Sequence, residues 1–329
     1  MLFRTVSFVA LLLVCGVVIA ADGGSAITDP KEAGPDFGIQ GEYLGNFDLG
    51  DGIEQKFGLQ VISLGDGRYR GVAYFGGLPG AGWDRFTKLQ TESETTDDGT
   101  VKLVANEGYA VIKDGKVTVY TIDEQEIGAL ERIERESPTA GAEPPEGAIV
   151  LFDGSHADEW DGGTLTADGL LAGGCTSKRT FNDFTLHLEF RTPYMPAAKG
   201  QARGNSGVYL QDRYELQILD SFGLDGLDNE CGGFYSKRAP SENLCFPPLA
   251  WQTYDIDFTA ARYDDDGNKV SPAKVTVKHN GVVIHDNYEL TGATPGRMDE
   301  GTGPGGIHLQ DHGNPVVFRN IWIVEKAAE

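Results

Sequence analysis

In the second half of the chain, apolar and polar residues alternate in short runs. A period of two belongs to strands rather than helices. The runs are Ala148–Phe152, Thr164–Leu171, Phe184–Thr192, Ser206–Gln211, Tyr214–Asp220, Trp251–Ala261, Ala273–Ile284, Gly306–Gln310 and Val316–Val324, with no helical periodicity among them. Asn280-Gly281 between Val-rich arms is the strongest hairpin signal of the chain. Many short strands at regular spacing predict an antiparallel sandwich. From Gly38 to Ile133 the pattern repeats on a smaller scale. Phe57–Leu64 and Arg68–Tyr74 flank Gly65-Asp66-Gly67, and Ala110–Lys113 and Lys116–Thr121 flank Asp114-Gly115. Such turns supply the positive φ that short hairpins need. Glu92–Thr100 reads as a polar connecting loop. Gly76–Trp83 lacks the Lys-Ser/Thr of a phosphate loop and predicts a turn with an exposed Trp83.

The pattern divides the chain into parts. Residues 1–20 read as a signal peptide: Arg4 is the charged end, Val6–Ala20 the apolar stretch, and Val18-Ile19-Ala20 the small-residue cleavage pattern. Val14 before Cys15 is not the small residue a lipid anchor needs. A Gly/Pro/Ala-rich flexible leader is expected over 21–37, a small antiparallel β domain over 38–135, a Pro-rich linker over 136–146 and the sandwich over 147–326. The first domain carries no histidine and no clustered carboxylates, so it is expected to be a separable module without chemistry. The protein is expected to be exported, periplasmic or extracellular, with no membrane span.

Composition narrows the partners. Forty-five glycines and fifteen prolines favour turns and strands. A formal net charge of −23 repels nucleic acid and anionic membranes and suits a neutral substrate. Export removes Cys15, and an oxidising compartment permits a disulfide between Cys231 and Cys245, the pair closest in sequence. It would close a loop of about 15 residues, worth roughly 3 kcal/mol. Cys175 is then an odd, buried thiol.

Candidate chemistry gathers at Asn205–Ser221, NSGVYLQDRYELQILDS. Two extended runs flank a turn at Asp212-Arg213. Alternation puts Glu215 and Gln217 on one face, roughly 7 Å apart along the strand. A one-residue bulge after Gln217 would bring Asp220 beside Glu215. His308, Gln310 and His312 alternate on a second strand, and histidine suits proton transfer near neutral pH. Asn205 can bond a sugar hydroxyl or cap a turn. Tyr235 and Trp251 can stack on a sugar ring or fill a core. Asp264-Asp265-Asp266-Gly267 is an acidic loop that could take Ca²⁺ weakly or simply be a solvated turn.

The blocks LFDG (Leu151–Gly154) with Trp160, DFTLHLEFR (Asp183–Arg191), NSGVYLQ (Asn205–Gln211) and YELQILD (Tyr214–Asp220) occur in order. WQTYDI (Trp251–Ile256), HNGVVIHD (His279–Asp286) and LQDHGNPVVFRNIWI (Leu309–Ile323) follow. Through them the second half resembles the 3-keto-disaccharide hydrolase domain family of bacterial exported proteins. Leu64–Asp84 is similar to the β module that often precedes that domain. The resemblance implies an all-β chain with a concanavalin-like jelly roll, similar to laminarinase-type β-glucanases, whose active strand carries Glu-x-Asp-x-x-Glu. The corresponding residues are Glu215, Gln217 and Asp220. Gln217 cannot titrate, which speaks against ordinary double displacement. A 3-keto sugar needs less help, because its ketone acidifies the C2 hydrogen and one base can start elimination. The expected enzyme cleaves 3-keto glycosides with Glu215, Asp220 and His312 in catalysis and Asn205, Gln217, Gln310, Tyr235 and Trp251 at the sugar. A divalent cation such as Ca²⁺ held by Glu215, Asp220 and His312 would polarise the ketone, though nothing in the spacing demands it. The alternative is a non-catalytic, lectin-like carbohydrate-binding module, since fold does not decide function.

Overall fold

A computed structural model describes residues 19–20, 24–48, 52–94, 96, 99–106 and 108–327. All but the last two residues of the expected signal peptide lie outside these.

The first unit is a run of antiparallel neighbours: β1 (Gly41–Asp48), β2 (Glu54–Gly65), β3 (Arg68–Phe75), β4 (Lys88–Glu94), β5 (Val101–Ala105), β6 (Gly108–Lys113), β7 (Lys116–Thr121) and β8 (Glu126–Ile133). Their sheet order is β4-β3-β2-β1-β8-β7-β6-β5. The two end strands, β4 and β5, come back together, so the sheet curls into an up-and-down barrel. No ladder joins them among the described residues; instead the Thr91 hydroxyl donates to Val104 O (2.7 Å) and the Ser93 hydroxyl to Lys102 O. The β2–β3 and β6–β7 turns use the expected dipeptides, Asp66-Gly67 (φ 56° and 69°) and Asp114-Gly115 (φ 52° and 75°). Positive φ at both central residues matches the twist of the flanking strands. Glu92 and Ser93, expected in a loop, belong to β4 instead.

The second unit is an antiparallel sandwich. Its strands are β9 (Ile149–Phe152), β10 (Trp160–Asp161), β11 (Leu171–Ala172), β12 (Cys175–Ser177), β13 (Phe184–Arg191), β14 (Ser206–Leu210), β15 (Tyr214–Ile218), β16 (Gln252–Thr259), β17 (Ala273–His279), β18 (Val282–Leu290), β19 (His308–Leu309) and β20 (Val317–Glu325). A seven-stranded sheet runs β9-β20-β13-β16-β17-β18, with β11 also on β20; a five-stranded sheet runs β10-β12-β19-β14-β15. In β13 the residues Phe184, Leu186, Leu188 and Phe190 face inward. They meet Val208, Leu210, Leu216, Ile218 and Leu309 of the other sheet in one core. The fold is thus all-β, as the alternation implied. Thr164–Leu171 is mostly a turn rather than a strand, closed by Thr166 N–H donating to Leu170 O (2.8 Å). β18 runs on to Leu290, past a polar stretch that hides the alternation.

The two units share a buried seam. Phe222 of the sandwich packs with Ile62, Val72, Tyr74 and Leu78 of the barrel. Trp83, expected to be exposed, is half-buried there, edge-on to Tyr74 at 5.1 Å between centroids. Its loop reaches the sandwich through Gly80 N–H, which donates to Glu242 Oε1 (2.6 Å). The stretch expected to be a flexible leader is also fixed where it is described. Ile27 exchanges both backbone hydrogen bonds with Tyr194 (3.0 and 2.9 Å). The short helix α1 (Gly34–Ile39) then sets Phe37 against Tyr194, while Asp36 accepts from Tyr69 OH (2.8 Å).

Cys231 and Cys245 lie side by side in the core, but all three described cysteines are free thiols, so the expected disulfide is not formed. The sulfurs hydrogen-bond locally: Cys231 Sγ meets Tyr254 OH at 3.2 Å and Cys245 donates to Phe246 O at 3.4 Å. Burial pushes the Cys175 thiol up to about 12.

Candidate active site

The site is built on the hairpin β14–β15 and the strand β19 beside it. The hairpin turn falls at Gln211-Asp212, one residue earlier than the sequence suggests, and both residues are left-handed (φ 54° and 59°). Non-glycine residues held there cost of order 1 kcal/mol each and need outside support. Gln211 donates to Phe181 O (2.9 Å) and accepts from Arg213 (3.0 Å), while Asp212 pairs with Arg297 (2.6 Å). The register is thereby set: Tyr209 opposes Glu215, Gly207 opposes Gln217, and on the other side His308 opposes Tyr209.

Cross-strand partners share a face. One row therefore reads Thr176, His308, Tyr209, Glu215, and the next reads Gln310, Gly207, Gln217. Segment 232–235 extends the sheet beyond β15, with Tyr235 N–H donating to Glu215 O (3.2 Å) and Gln217 N–H to Gly233 O (2.8 Å). Tyr235 joins the same face. Gly207 is the floor: a Cβ there would lie 2.6 Å from Glu215 Oε1 and 3.1 Å from Gln310 Oε1.

Glu215 is 3 % exposed. Burial pushes its carboxyl up to about 7, and hydrogen bonds from Tyr209 and Gln310 limit the rise. Desolvation disfavours the charged form, so this carboxyl can exchange a proton near neutral pH. Tyr209 OH donates to Glu215 Oε2 at 2.8 Å, and Gln310 Nε2 donates to Tyr209 OH at 3.2 Å. Gln217 Nε2 donates to Gln201 Oε1 (2.9 Å). That leaves Gln217 Oε1 and Gln310 Oε1 buried without a hydrogen-bond partner. Such orphaned acceptors are costly unless a ligand's hydroxyls satisfy them.

Other residues singled out by sequence are placed differently. The ladder with β14 is regular through Ile218, the core then takes both Ile218 and Leu219, and Asp220 follows beyond the end of the strand. It accepts from Arg203 Nε at 2.6 Å in a buried pair, and Arg203 also reaches Ser63 O of the barrel (3.3 Å). Asn205 is buried and committed internally, donating to Gln201 O (2.9 Å) and lying 3.4 Å from Gln217 Nε2. His308 meets Thr176 Oγ1 at 2.9 Å; burial first, then the Arg297 charge, lowers it to about 4, so it is neutral. His312 is exposed on the turn after Gln310. That turn is tied to β14 by Gln310 N–H donating to Gly207 O (2.8 Å) and Asn205 N–H donating to Asn314 Oδ1 (2.8 Å). Trp251 lies on the outer face of the other sheet, between the guanidinium groups of Arg191 (5.1 Å) and Arg319 (4.0 Å). Among the described residues no cluster of three His, Cys, Asp or Glu could hold a metal. Tyr209, Gln201 and Gly207 were missed; Tyr209 alternates with Val208 and Leu210, but only the turn position reveals that it faces Glu215.

No curated protein matches the chain. Among solved structures it is similar to a candidate glycosyl hydrolase from Parabacteroides distasonis ATCC 8503, solved at 2.13 Å. The two are 34% identical with a TM-score of 0.51, covering 55% of this chain and 85% of that one. A second candidate glycosyl hydrolase from that organism is 19% identical with a TM-score of 0.41, covering 59% of this chain and 99% of that one. The family model for the 3-keto-alpha-glucoside-1,2-lyase-like domain matches residues 147–324, which takes in both sheets and every residue of the Glu215 face. With more than half its length under that match, the chain belongs to the family of 3-keto-alpha-glucoside-1,2-lyase-like domains and is carbohydrate-active.

Proposed function

We propose that this chain is an exported enzyme that cleaves 3-keto glycosides by elimination followed by hydration, with Glu215 as the base. One observation carries the reading: a single desolvated carboxylate stands among neutral hydrogen-bonding groups. A retaining glycosidase wants two carboxyls about 5–5.5 Å apart. Here the neighbouring positions on the face hold Gln217, Gln310 and Tyr209, and Asp220 is neutralised by Arg203. One base is enough when a ketone at C3 acidifies the hydrogen on C2.

Glu215 takes the C2 proton, and the C2–H electron pair becomes the C1=C2 bond. The C1–O bond breaks, and the leaving oxygen keeps its pair and is protonated. Water then adds to C1 as C2 regains a proton, giving the free 3-keto sugar and the released alcohol. Gln217 Oε1 and Gln310 Oε1 accept sugar hydroxyls, and Tyr235 covers the ring from the side.

The test is incubation of the purified protein with 3-keto-glucosides and with the unoxidised glucosides. Release of aglycone from the keto substrates alone is expected, with exchange of the C2 hydrogen for solvent deuterium. Glu215→Gln should lower kcat by about 10²-fold or more. Near-full turnover in that variant would make another group the base, and no aglycone release from any of these substrates by the unaltered protein would leave a carbohydrate-binding module as the better reading. The same assay on extracytoplasmic fractions of the producing cells tests export.

A further inference from the structure

The β1–β8 barrel is not filled by its own side chains. A cavity of about 350 Å³ opens at the end where β1, β3, β5 and β7 finish. Eight strands is the size at which a barrel either packs solid or holds one small ligand. The walls are aromatic. Phe57 stacks on Phe47 at 3.9 Å and meets Phe75 edge-on at 4.7 Å. Gly71 and Gly108 also line the space and add no side-chain bulk to it.

The rim of the same end is apolar. Phe86 is 90% exposed, Ile122 70%, Val104 55% and Leu89 51%. Scattered apolar residues on a surface are ordinary, but these four gather on the loops and strand ends around one opening. Charge on the rim is acidic: Asp84, Asp123, Glu124 and Glu126 stand there, while Arg85 is occupied by Glu242 and Lys88 by Asp225. A carboxylate or phosphate approaching this mouth is repelled. Aromatic walls offer offset and edge-on contacts to a flat ring. The seam between β4 and β5, bridged by the Thr91 and Ser93 hydroxyls, is the side at which the barrel can widen.

We infer that the barrel is a second binding site, separate from the Glu215 cleft, that takes one small uncharged molecule built around an aromatic ring. The probe is N-phenyl-1-naphthylamine, an uncharged aryl amine whose emission rises in apolar surroundings, titrated into the full chain. Saturable binding of one probe per chain is expected. Ala110→Phe, which fills the cavity from β6, and Ile122→Asp, on the exposed rim where folding is not at stake, should each weaken it about tenfold. 2-Naphthol should displace the probe about tenfold better than 2-naphthoate. Absence of saturable binding, or binding that Ile122→Asp and a folded Ala110→Phe both leave unchanged, overturns the site. Equal displacement by naphthoate overturns the ligand class.

Discussion

Gly207 shapes the site by lacking a side chain. Because it has no Cβ, the carboxylate of Glu215 and the amide of Gln310 can lean over the same point from either side. Tyr209, two residues on, sets how basic that carboxylate is. Its hydroxyl stabilises the ionised form, against the larger effect of burial, so Tyr209→Phe should raise the Glu215 pKa further. A base works when deprotonated. The rate in the unaltered protein is therefore expected to climb with pH and level off above about 7. In Tyr209→Phe the same limb should shift to higher pH, with the plateau reached later. A pH profile of kcat/KM decides it; an unmoved limb would mean that another group is the base. Glu215 and Gln217 could be read from alternation alone. Tyr209 could not, because its place opposite Glu215 follows from the turn at Gln211-Asp212, whose left-handed backbone is stabilised by Phe181, Arg213 and Arg297 from elsewhere in the fold.

At the scale of elements, β13 shows what an alternating strand does with its polar side. The outer face carries His187 and Glu189, both buried, under the linker that joins the two units. Gly141 N–H donates to Glu189 Oε1 (2.6 Å), Arg319 Nε to Glu189 Oε2 (2.6 Å), and Thr139 to Asp255 (2.7 Å), which itself holds His187 Nδ1 (2.6 Å). Burial raises the Glu189 pKa, but hydrogen bonds from His187, Asn320, Gly141 and Arg319 outweigh it and bring it down to about 2. A depressed carboxylate contributes stability that is complete above its unfolded value, near 4.5, and is lost as pH falls toward 2. The contribution is on the order of 3 kcal/mol. His187 runs the other way: its raised pKa adds stability below about 6.5 that fades as pH rises through the folded value. Glu189→Gln should therefore flatten the loss of unfolding free energy between pH 4.5 and 2 seen in the unaltered chain. Denaturant melts across that range measure it, and parallel curves for the two proteins would contradict it. The Pro-rich composition of 136–146 marked a connector, but not that it lies along this sheet as a strap.

The whole molecule is less divisible than its composition suggests. Phe222, in the loop after β15, is buried among Ile62, Val72, Tyr74 and Leu78, and Arg203 spans from Asp220 to the barrel backbone. The loop that follows the strand of Glu215 is thus anchored on the other unit. A single cooperative unfolding transition is expected for the full chain. Phe222→Ala should cost about 3 kcal/mol, the usual price of a large buried ring, and split or broaden that transition. Calorimetry reads both, and two transitions in the unaltered chain would show that the seam does not couple the units. Among the described residues no helix is long and apolar enough to cross a membrane.

Alternation and turn dipeptides by themselves determined the all-β class, most of the strands, and the polar face that carries Glu215 and Gln217. These are local properties: a period of two and a left-handed Asp-Gly or Asn-Gly are written within a few residues. Which polar groups meet across strands was decided by the tertiary structure. Asp220 lies five residues from Glu215, and its partner, Arg203, comes from the segment before β14 rather than from its own strand. Tyr209, Gln310 and Gly207 converge on Glu215 from two other strands because register is a long-range quantity, and a slip of one residue would send each side chain to the opposite face.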